Sequence, residues 1–101
     1  MNIYPAEIEQ HLLTHPSVDD VAVVGVPDPE WGHSVLAVIQ PSAQASAGDE
    51  LAASLLAYCG EGLASFKRPR RIEFVSDFPR TETGKVQRRV LRERFAQAPT
   101  V

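Results

Sequence analysis

The sequence predicts an α+β fold: a small, mostly antiparallel three-stranded sheet flanked by about three helices. Two kinds of pattern carry that expectation. Val21-Ala22-Val23-Val24 and Val35-Leu36-Ala37-Val38-Ile39 are short, uncharged, β-branched-rich runs, as a strand covered on both faces requires. Around them stand segments whose apolar residues recur at helical spacing. At 101 residues the chain is read as one domain over residues 1–101, burying about 65% of its unfolded surface. That supports one core and no deep pocket enclosing both a nucleotide and an organic substrate.

In chain order, Pro5 suits a first helical position, Glu7 and Glu9 suit the positive end of a helix dipole, and Ile8, Leu12 and Leu13 form one face. A helix is expected from about Pro5 to Thr14, stopped by Pro16. Val18 to Val26 is the first strand, Pro27 to Gly32 a turn cluster, and Val35 to Ile39 a second strand pairing antiparallel with the first. Pro41 to Gly48 is a loose connector. Asp49 is placed to cap a helix reaching Cys59, with Leu51, Leu55 and Leu56 inward and Gly60 ending it. Arg71-Ile72-Glu73-Phe74-Val75 alternates and reads as a half-exposed third strand. The closing helix, about Gln87 to Ala96, turns Val90, Leu91 and Phe95 inward and Arg88, Arg89, Arg92 and Arg94 outward or sideways.

Composition narrows the function classes. Apolar residues make up 44% of the chain with no long uncharged apolar run, so a soluble domain without a membrane span is expected. Met1 to Pro5 lacks the basic start and apolar segment of a secretory signal, which makes a cytoplasmic setting the default. Cys59 is alone, so no internal disulfide forms, and its apolar neighbours point to a buried structural thiol. His11, His15 and His33 have no ligand spacing for a metal. The net charge of −3 conceals a division: nine acids and no Lys or Arg from Met1 to Phe66, then ten bases and four acids from Lys67 to Val101. The later half is suited to anions such as phosphates, unless the two halves neutralise each other. Nucleic acid is disfavoured by the acidic total and by the lack of a diagnostic motif.

The stretch Pro79-Arg80-Thr81-Glu82-Thr83-Gly84-Lys85 presents one lysine after a glycine, at the end of a polar loop. Pro79 fixes its own φ, Thr81 and Thr83 have hydroxyls to bond nearby backbone, and Gly84 tolerates dihedrals other residues avoid. A phosphate loop of the G-x-x-x-x-G-K-[ST] kind does not fit, because Phe78 and Pro79 stand where glycine is needed and Val86 where a hydroxyl is needed.

Five blocks taken together, Asn2-Ile3-Tyr4-Pro5-Ala6-Glu7-Ile8-Glu9, Val21 to Asp28, Trp31-Gly32, Phe66-Lys67-Arg68-Pro69 and Pro79 to Lys85, resemble the C-terminal domain of the adenylate-forming superfamily, which includes acyl- and aryl-CoA ligases and the adenylation domains of nonribosomal peptide synthetases. The likeness runs from Asn2 to about Phe95. It implies a two-step reaction: a carboxylate attacks the α-phosphate of ATP to give an acyl-adenylate, and a thiol, usually CoA, then displaces AMP. It also implies a swinging lid that partners an N-terminal adenylation domain holding ATP, its Mg²⁺ and the carboxylic acid, so that this chain alone is inactive.

Position by position, Lys85 matches the family's catalytic lysine and Gly84 the glycine that lets the loop approach the nucleotide. Trp31 and Phe66 match stacking surfaces for CoA, and Arg68 and Arg70 match partners of its phosphates, on the pattern of 4-chlorobenzoate-type ligases. Ordinary core packing is an equal reading for Trp31 and Phe66, and Lys67 and Arg71 are left open between contact and solvated charge. The lysine's context also resembles one in which family members are acetylated, which would remove its charge. Two other functions are carried alongside: a lid that delivers the acyl group to a carrier-protein phosphopantetheine, and a freestanding noncatalytic CoA- or nucleotide-binding module.

Overall fold

A computed structural model of the chain describes residues 5–30 and 32–96, with Phe66 described in its backbone alone. Its elements are α1 (Pro5–Leu13), β1 (Val18–Asp28), β2 (Gly32–Pro41), α2 (Asp49–Gly62), a 3-10 turn (Ser65–Lys67), β3 (Arg71–Phe74) and α3 (Arg88–Phe95). The strands lie in the order β1-β2-β3, with β2 in the centre.

β1 and β2 form an antiparallel hairpin from Val18 opposite Pro41 to Asp28 opposite Gly32. Pro27 and Asp28, expected in the turn, belong to the strand; Pro27 is tolerated because β1 is an edge strand, where one missing N–H costs no ladder bond. β3 lies parallel to β2, with Leu36 opposite Arg71 and Ile39 opposite Phe74. The sheet is therefore mixed, one antiparallel and one parallel pair. Alternation in β3 shows which residues face inward and says nothing about direction; the crossover through α2 sets it.

Both faces of the sheet are covered. Val21, Val23, Val35, Ala37, Ile39 and Ile72 point to one face and pack against Ile8 and Leu12 of α1 and Leu55 and Cys59 of α2. Ala22, Val24, Val26, Leu36 and Val38 point to the other, against Phe78 and Leu91, with Val75, Val86 and Phe95 at the margin. Val18 breaks the parity and joins the odd-numbered set, because the register shifts between Val18 and Asp20. A bulge of this kind turns one side chain over without disturbing the rest.

Helix α2 departs from expectation at both ends. Gly48 occupies the cap position with no side-chain cap bond, and Asp49 and Glu50 sit in the first turn, favoured by the dipole. The helix runs through Gly60 to Gly62 and closes with Leu63 N–H donating to Cys59 O at 3.0 Å. Burial of Leu63 in the core outweighs the weak helix propensity of Gly60. A Cβ at Gly62 would run into the His11 imidazole of α1, which would have to move aside.

The edge of β1 is held by charge. Glu9 Oε2 accepts the Val23 N–H at 2.8 Å and the Arg88 guanidinium at 2.6 Å. One carboxylate thus ties α1, the sheet edge and α3 together, and hydrogen bonds to a charged group contribute about 1.5–3 kcal/mol each.

Cys59 is fully buried, and loss of hydration pushes its thiol up to about 11 from an ordinary 9.0, partly countered by the nearby Arg68 charge. Below pH 9.0 the thiol is neutral in both folded and unfolded chains. As pH rises from there the unfolded thiol ionises first, so this contribution to stability falls. Cys59→Ala is expected to melt below wild type at pH 7 through its cavity, and the gap between the two melting temperatures is expected to narrow from pH 9 upward.

Candidate functional site

The loop from Pro79 to Gln87 is built as a small hairpin. Arg80 and Val86 form an antiparallel bridge, and Thr81 N–H donates to Lys85 O at 2.8 Å while Gly84 N–H donates to Thr81 O at 2.9 Å. That pair of bonds spans Glu82, Thr83 and Gly84, the three-residue loop whose third residue requires a left-handed conformation. Gly84 has φ 90°, and a Cβ built there would meet nothing within 4 Å. Glycine is required here for its dihedral angle, not for space.

Threonine hydroxyls finish the loop. Thr81 Oγ1 accepts the Lys85 N–H at 3.1 Å and bonds Thr83 Oγ1 at 3.0 Å. The base is fixed by Phe78, 5% exposed, and by Gln87 N–H donating to Pro79 O at 2.8 Å. Lys85 itself is exposed, and its ammonium has no hydrogen bond or ion pair among the described residues.

Arg80 braces this tip. Its guanidinium donates to Gly84 O at 2.8 Å and to Asp20 Oδ2 at 2.7 Å, and it lies 5.9 Å from the centre of the Phe78 ring. Asp20 Oδ1 in turn accepts the Val21 N–H at 2.8 Å. A continuous chain of bonds therefore runs from the β1 edge through Asp20 and Arg80 to the carbonyl beside Lys85. Sequence reasoning left Arg80 as an ordinary loop residue. Its place beside the glycine-lysine pair was the only hint, because Asp20 is sixty residues away in sequence.

The other expected site residues lie elsewhere. Arg70 N–H donates to Val35 O at 2.9 Å, while Asp20 pairs with Gln40. Along β2, Val35 and Gln40 are five residues apart, so the anchor points of Arg70 and of the lysine loop are separated by roughly 16 Å. Arg68 is tied to the end of α2, donating from Nε to Leu63 O at 2.9 Å and from a terminal nitrogen to Gly60 O at 3.1 Å. It meets carbonyls left open where the helix ends. Lys67 pairs with Glu7 at 2.9 Å, and Arg71 with Glu73 at 2.7 Å. Trp31 and the side chain of Phe66 lie outside the described residues. No group of three or more His, Cys, Asp or Glu among the described residues could hold a metal ion, and none of the described helices is long and apolar enough to cross a membrane.

Two substitutions test the brace. Gly84→Ala is expected to cost about 1 kcal/mol through its dihedral angle. Arg80→Ala is expected to cost no more than about 1 kcal/mol, since the Asp20 pair is half exposed. In both, hydrogen exchange at the Thr81, Gly84 and Lys85 amides should accelerate while the amides of β2 keep their protection.

Comparison with known proteins agrees with this architecture. The family described as the AMP-binding enzyme C-terminal domain matches residues 7–85. The medium-chain acyl-CoA ligase ACSF2, mitochondrial, of Danio rerio is 48% identical over 94 residues, covering 92% of this chain and 15% of that protein. The fatty acid–acyl-carrier-protein ligase ScoC of Streptomyces coeruleorubidus is 47% identical over 96 residues, covering 93% of this chain and 18% of that protein. The ATP-bound crystal structure of MatB from Rhodopseudomonas palustris superposes with a TM-score of 0.89 at 37% identity, over 99% of this chain and 19% of that one. The chain thus spans less than a fifth of the length of these relatives. With a family match over most of its residues, and with the hairpin-borne lysine inside the matched region, the chain belongs to the AMP-binding enzyme C-terminal domain family.

Proposed function

We propose that this chain is the lid of an ATP-dependent acid–thiol ligase, supplying Lys85 to acyl-adenylate formation and part of the thiol-coenzyme site to the second step. The observation that carries the reading is the separation of two differently built ends of one rigid sheet. At one end an unpartnered ammonium stands on a braced hairpin. At the other, Arg70 is anchored to Val35 and the Phe66-Lys67-Arg68 segment leads into it. A body of this shape presents one end to a partner domain, then turns to present the other.

In the first step a carboxylate oxygen attacks the α-phosphorus of ATP and pyrophosphate leaves. Two anions must approach, and a cation between them offsets their repulsion and the charge that develops on the phosphoryl oxygens. The Lys85 ammonium suits that task because nothing among the described residues competes for it and its loop is already ordered, so little reorganisation accompanies its use. In the second step a thiol attacks the acyl carbonyl and AMP leaves; Arg70 is assigned to a phosphate of the coenzyme, with Phe66 and Trp31 as its stacking surfaces. The Mg²⁺ that accompanies ATP is assigned to the adjoining adenylation domain, in keeping with the family resemblance. A cytoplasmic setting goes with this reading.

A second acceptor is favoured by one observation: ScoC, an acyl-carrier-protein ligase by name, is as similar to this chain as the CoA ligases are. Comparing CoA with a holo-carrier protein as acceptor in the intact enzyme separates the two.

In the intact enzyme Lys85→Ala is expected to slow acyl-adenylate formation by about 10²–10³ and to leave thioester formation from preformed adenylate unchanged. Equal loss in both half-reactions would remove the lysine from its assigned role. Arg70→Ala is expected to raise the KM for CoA and to leave that for ATP unchanged, measured by steady-state kinetics with each varied in turn.

A further inference from the structure

Most of the basic charge in this chain is already taken. Arg68 holds two carbonyls, Arg71 pairs with Glu73, Arg80 with Asp20 and Arg88 with Glu9. Lys67 and Arg70 have partners as well. Among the described residues, Lys85, Arg89, Arg92 and Arg94 are the cations without one.

Two of these four share a groove. Between α3 and the end of the β1–β2 hairpin lies an open cleft of about 320 Å³, lined by Gly25, Pro27, His33, Arg89, Arg92 and Glu93 among others. Arg89 and Arg92 are three residues apart on α3 and so occupy neighbouring places on one face, where like charges repel. Arg89 also sits in the first turn of the helix, which contains no acid. The positive end of the helix dipole disfavours a cation there. Glu93 is the single carboxylate in the lining and leaves the cleft with a positive balance. The arrangement works against the folded chain by itself and becomes favourable once an anion occupies the cleft.

The place of the cleft indicates which anion. Gly25 in its wall pairs with Val35, and Val35 O accepts the Arg70 N–H. Gly25 and Arg70 are thus about two strand spacings apart, roughly 10 Å across the sheet. They lie at the end remote from Asp20 and the brace of the lysine loop. A ligand with several separated phosphates has the length to reach both Arg70 and the cleft. Guanidinium forks match tetrahedral phosphate oxygens, and an open, largely apolar wall admits the rest of an extended molecule.

We propose that Arg89 and Arg92, facing His33 across the cleft between α3 and the hairpin, bind a phosphate of the thiol coenzyme during thioester formation. This rests on the ligase reading above. It places at α3 a phosphate contact beyond the one assigned to Arg70.

The test uses the intact enzyme, with Arg89→Gln/Arg92→Gln as the probe. Arg94→Gln is the control, since it removes one unpartnered charge from the same helix outside the cleft lining. The double variant is expected to raise the KM for CoA about tenfold, to lower the salt dependence of that KM, to leave the KM for ATP at the wild-type value, and to hold the melting temperature at or slightly above that of wild type, since two mutually repelling charges are removed. Dephospho-CoA identifies the phosphate: a penalty confined to CoA assigns the 3′-phosphate, and an equal penalty on both assigns the pyrophosphate, either result supporting the site. An unchanged KM for CoA, an effect of Arg94→Gln as large as that of the double variant, or a loss seen with a holo-carrier protein and not with CoA would overturn it. Lys85→Ala in parallel keeps the two readings apart, because its effect on adenylation stands or falls regardless of what happens at the cleft.

Discussion

With every residue from Ser34 to Ile39 buried, β2 has no face left over for solvent, and that constraint organises the whole molecule. A strand buried on both sides must be covered by helices on both sides and flanked by strands at both edges. The chain meets this with α1 and α2 on one layer, α3 and the Phe78 segment on the other, and β1 and β3 alongside. A core so tightly enclosed behaves as a rigid spacer. The lysine hairpin and the Arg70 segment are fixed to its opposite ends, and their separation is a property of the packing.

Electrostatics is laid over that frame in two tiers. The division of charge along the sequence is partly internal: Glu7 with Lys67, Asp20 with Arg80 and Glu9 with Arg88 each join the acidic half to the basic half. The Glu7–Lys67 and Asp20–Arg80 pairs, both partly exposed, contribute little to stability individually, the more deeply set Glu9–Arg88 pair contributes more, and each determines where a segment docks. What remains after pairing is concentrated at Lys85 and on α3. The useful charge is the part the fold leaves unspent.

Much of the fold was legible because its elements are locally consistent. The runs at Val21 and Val35 could only be strands with two buried faces, and the 3.6-residue periods around Ile8, Leu55 and Leu91 marked the helices that cover them. What stayed hidden depends on partners distant in sequence. The parallel setting of β3 comes from the α2 crossover, the reversal of Val18 from a bulge, and the persistence of α2 through Gly60 from burial of Leu63. At the site, the lysine loop was visible as a local pattern of Pro, Thr, Gly and Lys, while its hairpin pairing was not. The brace was not, because Arg80 acts through Asp20, and the bonds from Arg68 to Gly60 and Leu63 were not, because they belong to the end of a helix expected to stop earlier.

The outer margin of β1 has one more consequence. An edge strand normally offers a row of free amides to any passing chain, and a hydrophobic run such as Val21 to Val26 would be an inviting template for intermolecular sheet growth. Here the Val21 and Val23 amides are both occupied, by the carboxylates of Asp20 and Glu9. Acidic side chains along that border also repel an approaching copy of themselves. The same two residues that dock the lysine loop and α3 thereby act as gatekeepers against self-association.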